Sequence, residues 1–486
     1  MKKTIYRNIA LILALITVIS VLVACKQTGG TDETKDSVRT DGMTGTTPLT
    51  SSDVDPIPDD LKFTGRDFVI AAPAGNGPTF FWQETDSDIP IDSAIYKRNK
   101  TLEERFGITI SAIELGDTGH HADALLPYID AGDDVIDVCA IGYYQSGKPL
   151  IVYDLILPWN GVKYIDYSKP WWNSSLNDTL SILGQSYYLS GAINWTQMSV
   201  TMAVFFNKNV AGKYSSVVGD LYKSVQDGTW TQERMLEMIK AVSADNGDGV
   251  RDENDTYGLC QNINTLESWV TGAGMQYAKA TDSGFELYFD SEKLVDLIDK
   301  VGGVLTDKQY VWLEEGMNTG TNIFFEDRAL FIQSDFTYCE AWRNQKSDFG
   351  ILPLPKADEK QEKYLTYSDQ WGLALAMPKT AKDPDRTGAI LEMMAQLSYE
   401  LIRPAYYEKT LMGKYRRDDE SEEMLNIIFD GITYEPGITF ITNLAWLPFR
   451  DCVVNNKNLV SWYAGYRNQI EQNFTELFDS VKERTE

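Results

Sequence analysis

The chain has 486 residues, a formal charge of −27 and 12% aromatic residues, including 12 Trp and 26 Tyr. Such an acidic balance argues against a nucleic-acid partner, whose phosphates are held by Lys and Arg. The length makes two domains the expectation, each with its own core, and the aromatic excess is enough to line a cleft as well.

Lys2, Lys3 and Arg7 precede an apolar run from Ile9 to Val23. This is the pattern of an export signal, and it falls short of the about 20 apolar residues of a spanning helix. The run ends in Leu22-Val23-Ala24-Cys25, which resembles the lipobox of bacterial lipoproteins. That resemblance implies that residues 1–24 are a signal peptide and that the Cys25 thiol carries lipid. Residues 25–62 are rich in Thr, Ser, Asp and Gly, too poor in apolar surface to offset their ordering entropy, and read as a flexible tether. Cys139, Cys260, Cys339 and Cys452 show no CxxC or Cys/His spacing, so no zinc site is expected. Buried thiols are favoured, because Cys139 sits in an apolar run, with one or two disulfides as the alternative.

Folded structure begins near Phe63. "DFVIAAP" (67–73) reads as a buried strand and "IDSAIYKRNKTLEERFG" (91–107) as a helix stopped by Gly107. "ITISAIEL" (108–115) alternates as a strand. "HHADALLPYIDAGDD" is helical, and "VIDVCAIG" (135–142) is another buried strand. Such strand–helix alternation is the pattern of a parallel sheet with helices on its faces. A second α/β region follows. "TMAVFFNK" (201–208), "RALFIQSDF" (328–336) and "WGLALAMP" (371–378) are strand-like. "TWTQERMLEMIKAV" (229–242) is a helix opened by a Thr229–Gln232 capping box. "DRTGAILEMMAQLSYELI" (385–402) is an amphipathic helix closed by Arg403-Pro404. The last helix carries Tyr466, Ile470, Phe474, Leu477, Phe478 and Val481 on its apolar face.

"YIDYSKPWWN" (164–173), "VFFNKNV" (204–210), "DGTWTQERMLEM" (227–238), "NGDGVRDENDTYGL" (246–259), "EDRALFIQS" (326–334), "DFGILPLPKADEKQEKY" (348–364) and "IRPAYYEKTLMGKYRRDDESEEMLNIIFD" (402–430) occur in this order. Together they resemble the extracellular solute-binding proteins of ABC importers, in the large group with many carbohydrate binders, over nearly all of residues 63–486. The resemblance implies an α/β, two-lobed, periplasmic-binding-protein-like fold with hinge strands. Residues 63–200 and 371–425 would form the N-terminal lobe, and 201–370 and 426–486 the C-terminal lobe. It also implies a monomer that captures a solute, a sugar or oligosaccharide, between its lobes and hands it to a membrane permease.

Ligands of open parallel sheets sit beyond the carboxyl ends of strands. After 135–142 that place holds Tyr143, Tyr144 and Gln145, aromatic faces and an amide suited to a sugar. The resemblance adds Asn194 and Trp195 at a first lobe crossing, Asp335, Phe336 and Tyr338 after the strand at 328–336, and Asp369, Gln370 and Trp371 at a second crossing. Trp269 is a further candidate platform. The pair Trp171-Trp172 reads as a plug over a lobe's core.

"ADNGDGVRDENDTYGL" (244–259) looks like a calcium loop. In an EF-hand register its first position is Ala244 where an aspartate belongs, and its twelfth is Asp255 where a bidentate glutamate belongs. Asn246, Asp248, Asp252 and Asp255 offer oxygens for a weak calcium site, and a polar turn explains the same residues. No other cofactor is implied. His120 and His121 lack a Ser or Cys partner and are expected at the surface, and no GxSxG or HExxH occurs. The competing functions are a secreted carbohydrate-active hydrolase, which needs two facing carboxylates, and a ligand receptor feeding a sensor kinase.

Overall fold

The computed structural model describes residues 56–486 apart from 118, 343–344, 370–371, 412–418, 442–443 and 445–446, and apart from the side chains of 145, 340, 408–411 and 419. The expected signal peptide, Cys25 and most of the tether lie outside the described residues. Strand β1 (Phe68–Ala72), helix α1 (Pro90–Phe106), strand β2 (Ile110–Glu114), helix α2 (His121–Ala131) and strand β3 (Val138–Gly142) follow one another as expected. Gly107 ends α1 at φ 69°, a left-handed cap that costs glycine nothing. Helix α3 (Tyr143–Val152), strand β4 (Ile156–Leu157), helix α4 (Ser174–Leu180) and helix α5 (Trp195–Ser199) come next. The first sheet has the order β2-β1-β3-β13-β4, where β13 (Leu373–Pro378) returns from far along the chain and runs antiparallel to β3.

Strand β5 (Met202–Asn207), helix α6 (Gln232–Val242) and strand β6 (Tyr257–Asn262) open the second lobe. A hairpin of β7 (Ala278–Thr281) and β8 (Gly284–Leu287) follows, then β9 (Val311–Glu314), β10 (Ala329–Asp335), β11 (Phe349–Leu352) and the short β12 (Thr366–Tyr367). The second sheet has the order β11-β5-β10-β6-β9 and mixes parallel with antiparallel pairs. After β13 come helix α7 (Pro384–Leu411), helix α8 (Asp419–Asp430), strand β14 (Ile432–Thr433), and helices α9 (Pro436–Thr439), α10 (Pro448–Val454) and α11 (Leu459–Thr485).

Two expectations are corrected. Helix α7 does not stop at Arg403-Pro404 but runs through Pro404 to Leu411. The turn after the proline is held by packing: Arg403 lies over the rings of Tyr399 and Tyr407, and Tyr406 lies against Trp195 and Phe429. Helix α6 is capped by Thr231, whose Oγ1 accepts from the Arg234 amide, and not by Thr229. The Thr229 hydroxyl instead donates to the Ser224 carbonyl at 3.3 Å.

The apolar interior has two parts. Phe68, Ile70, Leu102, Phe106, Trp159, Leu375, Ile390 and Met394 fill one face of the first sheet beneath α1 and α7. The other part runs without a break from Leu150, Ile151 and Tyr187 of the first lobe, through the second sheet, to Phe474, Leu477 and Val481 of α11. Cys139, Cys260, Cys339 and Cys452 are buried thiols, so the disulfide alternative falls away.

Candidate binding site between the lobes

Segments 190–201 and 366–369 lie side by side between the two sheets. Thr201 bridges Ser368, the Asp369 amide donates to the Val200 carbonyl at 2.9 Å, and β12 pairs in parallel with β14. The crossing is tight. A side chain at Gly372 would meet Gln197 Oε1 at 2.0 Å.

The turn from β3 into α3 places Tyr143 and Tyr144 at the carboxyl edge of the first sheet, as expected from strand–helix geometry. His121 helps to fix that turn: its Nδ1 accepts from the Gly142 amide at 3.3 Å. The expectation of a surface His121 is thereby corrected. The ring is fully buried, and burial pushes its pKa down to about 4, so it is neutral and free to accept. Tyr143 is buried and meets Tyr434 edge-on at 5.5 Å. Burial holds the Tyr143 phenol well above its ordinary range, with Tyr434 and the Asp369 carboxylate adding to the effect. Tyr144 is half-buried, its phenol pushed up to about 12 by burial and then by Glu267 and Asp369.

Glu267 comes from the second lobe and is fully buried. Its Oε2 accepts from the Tyr277 hydroxyl at 2.5 Å, and its Oε1 from the Phe449 and Arg450 amides at 2.9 and 3.2 Å. Burial raises its carboxyl to about 7 against those hydrogen bonds and the nearby Arg450 charge. Tyr143, Tyr144 and Asp369 thus converge with Glu267, Tyr367 and Tyr434 where the lobes meet. Sequence reasoning missed Glu267, Tyr277, Tyr367, Tyr434 and Arg450. The available signal was an isolated acid in "NTLESW", two residues before the Trp that was noticed.

The other candidates take three positions. Asn194 is buried, and its amide donates to the Leu373 carbonyl at 2.9 Å, pinning the first crossing to β13. Trp195 stands edge-on to Phe80 at 5.6 Å, its indole N–H on the Phe80 carbonyl at 3.2 Å. Asp335 caps the turn after β10 by accepting from the Thr337 amide at 2.8 Å, and burial raises its carboxyl. Phe336 is buried between Phe205 and Phe429, whereas Tyr338 is half-buried against Trp342. The turn Phe336–Tyr338 packs on α5, so the Trp195 helix and this turn meet across the lobes. Trp269 lies in the second lobe's core, its indole N–H 3.3 Å from Gln261 Oε1. The Gln145 side chain, Gln370 and Trp371 lie outside the described residues.

A groove of about 1810 Å³ lies between Trp171, Trp172 and Asn177 of the first lobe and Tyr364, Asn426 and Ile432 of the second, and it adjoins the cluster through Ser190, which accepts from the Tyr434 hydroxyl at 2.9 Å. Of the sequence candidates it takes in Asn194 alone. Trp171 and Trp172 both donate their indole N–H groups to Glu392, at 2.9 and 2.7 Å.

The loop at 244–255 turns its acids onto itself. Asp255 accepts from the Asn246 and Asp252 amides at 2.8 Å each, Asp248 from Val250 and Asp252 from Asn254. The Arg251 guanidinium donates to the carbonyls of Ala244, Thr256 and Gln309 and lies 3.3 Å from Asp255. The loop therefore contains its own cation. Among the described residues no three His, Cys, Asp or Glu side chains are grouped to hold a metal. Chelation with EDTA is expected to leave the melting temperature unchanged, and Arg251→Met to lower it. A stabilising shift on adding millimolar calcium would contradict this.

With this geometry in place, the comparison with solved structures is decisive for the fold. A solute-binding protein from Staphylococcus aureus in complex with maltose aligns over 86% of this chain and all of its own, with a TM-score of 0.57 at 14% identity. A cyclo/maltodextrin-binding protein with maltotetraose aligns over 87% of this chain and 98% of its own, at 0.53 and 13%. The galacto-N-biose/lacto-N-biose I-binding protein of a Bifidobacterium longum ABC transporter aligns over 86% and 97%, at 0.52 and 11%. The fold is the two-lobed periplasmic-binding-protein-like fold. The crossings at 190–201 and 366–369 join the two sheets, and the Tyr143–Glu267 cluster lies beside them. No protein-family model and no curated protein sequence matches the chain.

Proposed function

We propose that the chain is an extracellular solute-binding protein that captures a carbohydrate between its lobes and delivers it to an ABC permease. The observation that carries this reading is the aromatic and polar cluster where the lobes meet, half-buried Tyr144 beside Tyr143 and Asp369, with buried Glu267 of the second lobe behind it holding Tyr277 and α10 in place. Tyrosine faces pack on the C–H face of a sugar ring, and carboxylate and phenol groups bond its hydroxyls. The contributions from two lobes couple binding to closure, because the second lobe's contacts form only when the lobes approach. The solved relatives in fold that bind maltose, maltotetraose and lacto-N-biose support the solute class.

Capture takes place without chemistry. Both oxygens of Glu267 are engaged by three donors, an arrangement that positions α10. The sequence before residue 25 supports a lipid anchor on Cys25 that holds the protein at the outer face of the membrane. Among the described residues no helix is long and apolar enough to cross a membrane.

The test is a titration of the purified protein with mono- and oligosaccharides, followed by tryptophan fluorescence, with the sugars recovered and sized afterwards. A saturable change with one glycan class and intact sugar is expected; shortened glycan would overturn capture without chemistry. Tyr144→Ala should weaken that binding at least about tenfold, the loss of about 1.4 kcal/mol of contact. Its melting temperature should stay within a few degrees of the parent's. Unaltered affinity would place the solute elsewhere.

A further inference from the structure

Helix α11 is 27 residues long, about 40 Å at 1.5 Å per residue, and it is shared between the lobes. As far as Phe474, one side of it packs on the second lobe. The Trp462 indole N–H donates to Asp451 of α10 at 2.8 Å, Tyr463 stacks on Phe289 at 5.1 Å, and Phe474 lies 4.5 Å from Phe285 of β8. From Asn473 onward another side lies on the first lobe. Lys148 of α3, its side chain buried, donates to Asn473 Oδ1 at 2.9 Å and to Glu476 Oε2 at 2.5 Å. Two further turns along, Arg484 meets Asp154 at 2.9 Å, and Asp154 also pairs with Lys379 from just after β13. Leu477 and Val481, between these two polar contacts, are fully buried.

We infer that α11 is a clasp between the lobes, engaged on α3 in the arrangement seen here and released when the lobes part. Opening pivots the first lobe about the crossing strands while α11, as far as Phe474, stays stacked on Phe285 and Phe289. Something between residues 473 and 484 must therefore give. The weakest link is the polar pair of contacts, because Glu476 and Asp154 are each partly exposed and lose little on returning to water. Lys148 has more at stake, since a buried ammonium without its partners is costly. The clasp thereby biases the lobes toward the closed arrangement, whatever solute they hold.

The experiment measures the separation of the lobes without solute. Spin labels are placed at Lys97→Cys on the first lobe and Lys240→Cys on the second, both exposed positions, in a Cys25→Ser background whose other thiols are buried. Two clasp variants are compared with this parent. Asp154→Asn/Glu476→Gln alters partly exposed groups and keeps the fold, and Lys148→Met/Arg484→Met removes both cations. A longer-distance population is expected in the first variant and a larger one in the second. An unchanged distance distribution in both overturns the clasp. If the second variant loses its cooperative melt, the first decides alone. Because no solute is present, failure here is distinct from failure of carbohydrate capture, which the titration of the parent protein reads.

Discussion

Asp137→Ala is expected to lower the stability of the protein by about 3–5 kcal/mol, the cost of stranding a buried charge. Asp137 enters β3 almost wholly buried, accepts from the Val69 amide at 2.8 Å, and meets Arg386 at 2.5 Å and Arg66 at 3.0 Å. Burial raises its carboxyl, and the two arginines pull it back toward the charged form. Arg386 Nη2 donates to the carbonyls of Arg66 and Asp67, each at 3.0 Å. One guanidinium and one carboxylate thus fasten α7 to two strands that precede it by some 250–320 residues. Without Asp137 the Arg386 guanidinium stays buried and the Val69 amide loses its acceptor. Asp137→Asn, which keeps that acceptor, should cost less than Asp137→Ala, and Asp137→Ala/Arg386→Met should recover part of the loss. Thermal melts of the three variants read the outcome; additive losses in the double variant would show that the pair is not coupled.

A second large effect concerns pH. Glu267 and Glu435 are both buried, and both carboxyls are raised to about 7 from an ordinary 4.5, burial being the main cause in each. Their hydrogen bonds oppose the shift. Glu435 Oε1 accepts from the Tyr277 and Ala278 amides at 3.0 Å each, and Tyr277 bonds Glu267 in turn. Between these two pKa values the unfolded chain has released the proton that the folded chain retains. The stability that these two groups contribute is therefore greatest below about 4.5 and falls as the pH rises to about 7, where the folded carboxyls also ionise. Each group contributes a loss on the order of 3 kcal/mol across that window. Melting temperatures taken from pH 4.5 to 8 should fall in the parent, and Glu267→Gln/Glu435→Gln should flatten the curve. If the double variant keeps the parent's slope, the fall belongs to repulsion within the acidic chain as a whole.

The half of the fold that sequence reveals is the half written in local periods. Strands β1 to β3 and helices α1 and α2 were legible because each apolar run has its own period and Gly107 marks a stop. What was not legible depends on partners distant in the chain. Pro404 reads as a terminator until Tyr406 is seen against Trp195, and His121 reads as a surface residue until the Gly142 amide points at it. The candidate site divides in the same way. Tyr143 and Tyr144 follow from the rule that ligands gather at strand ends, whereas Glu267 and Tyr434 reach them from over 120 and 290 residues away. No local pattern encodes such a meeting.

Strand β13 sits in the middle of the first sheet, between β3 and β4, yet lies more than 230 residues downstream of β3. As the chain grows from its N-terminus, the first three strands wait with one edge unpaired until residue 378 has been made. The face beneath α3 waits longer still, for Leu477 and Val481. The N-terminal lobe thus has no stage at which it is complete by itself, and a fragment ending near residue 200 is an open sheet with an exposed pairing edge.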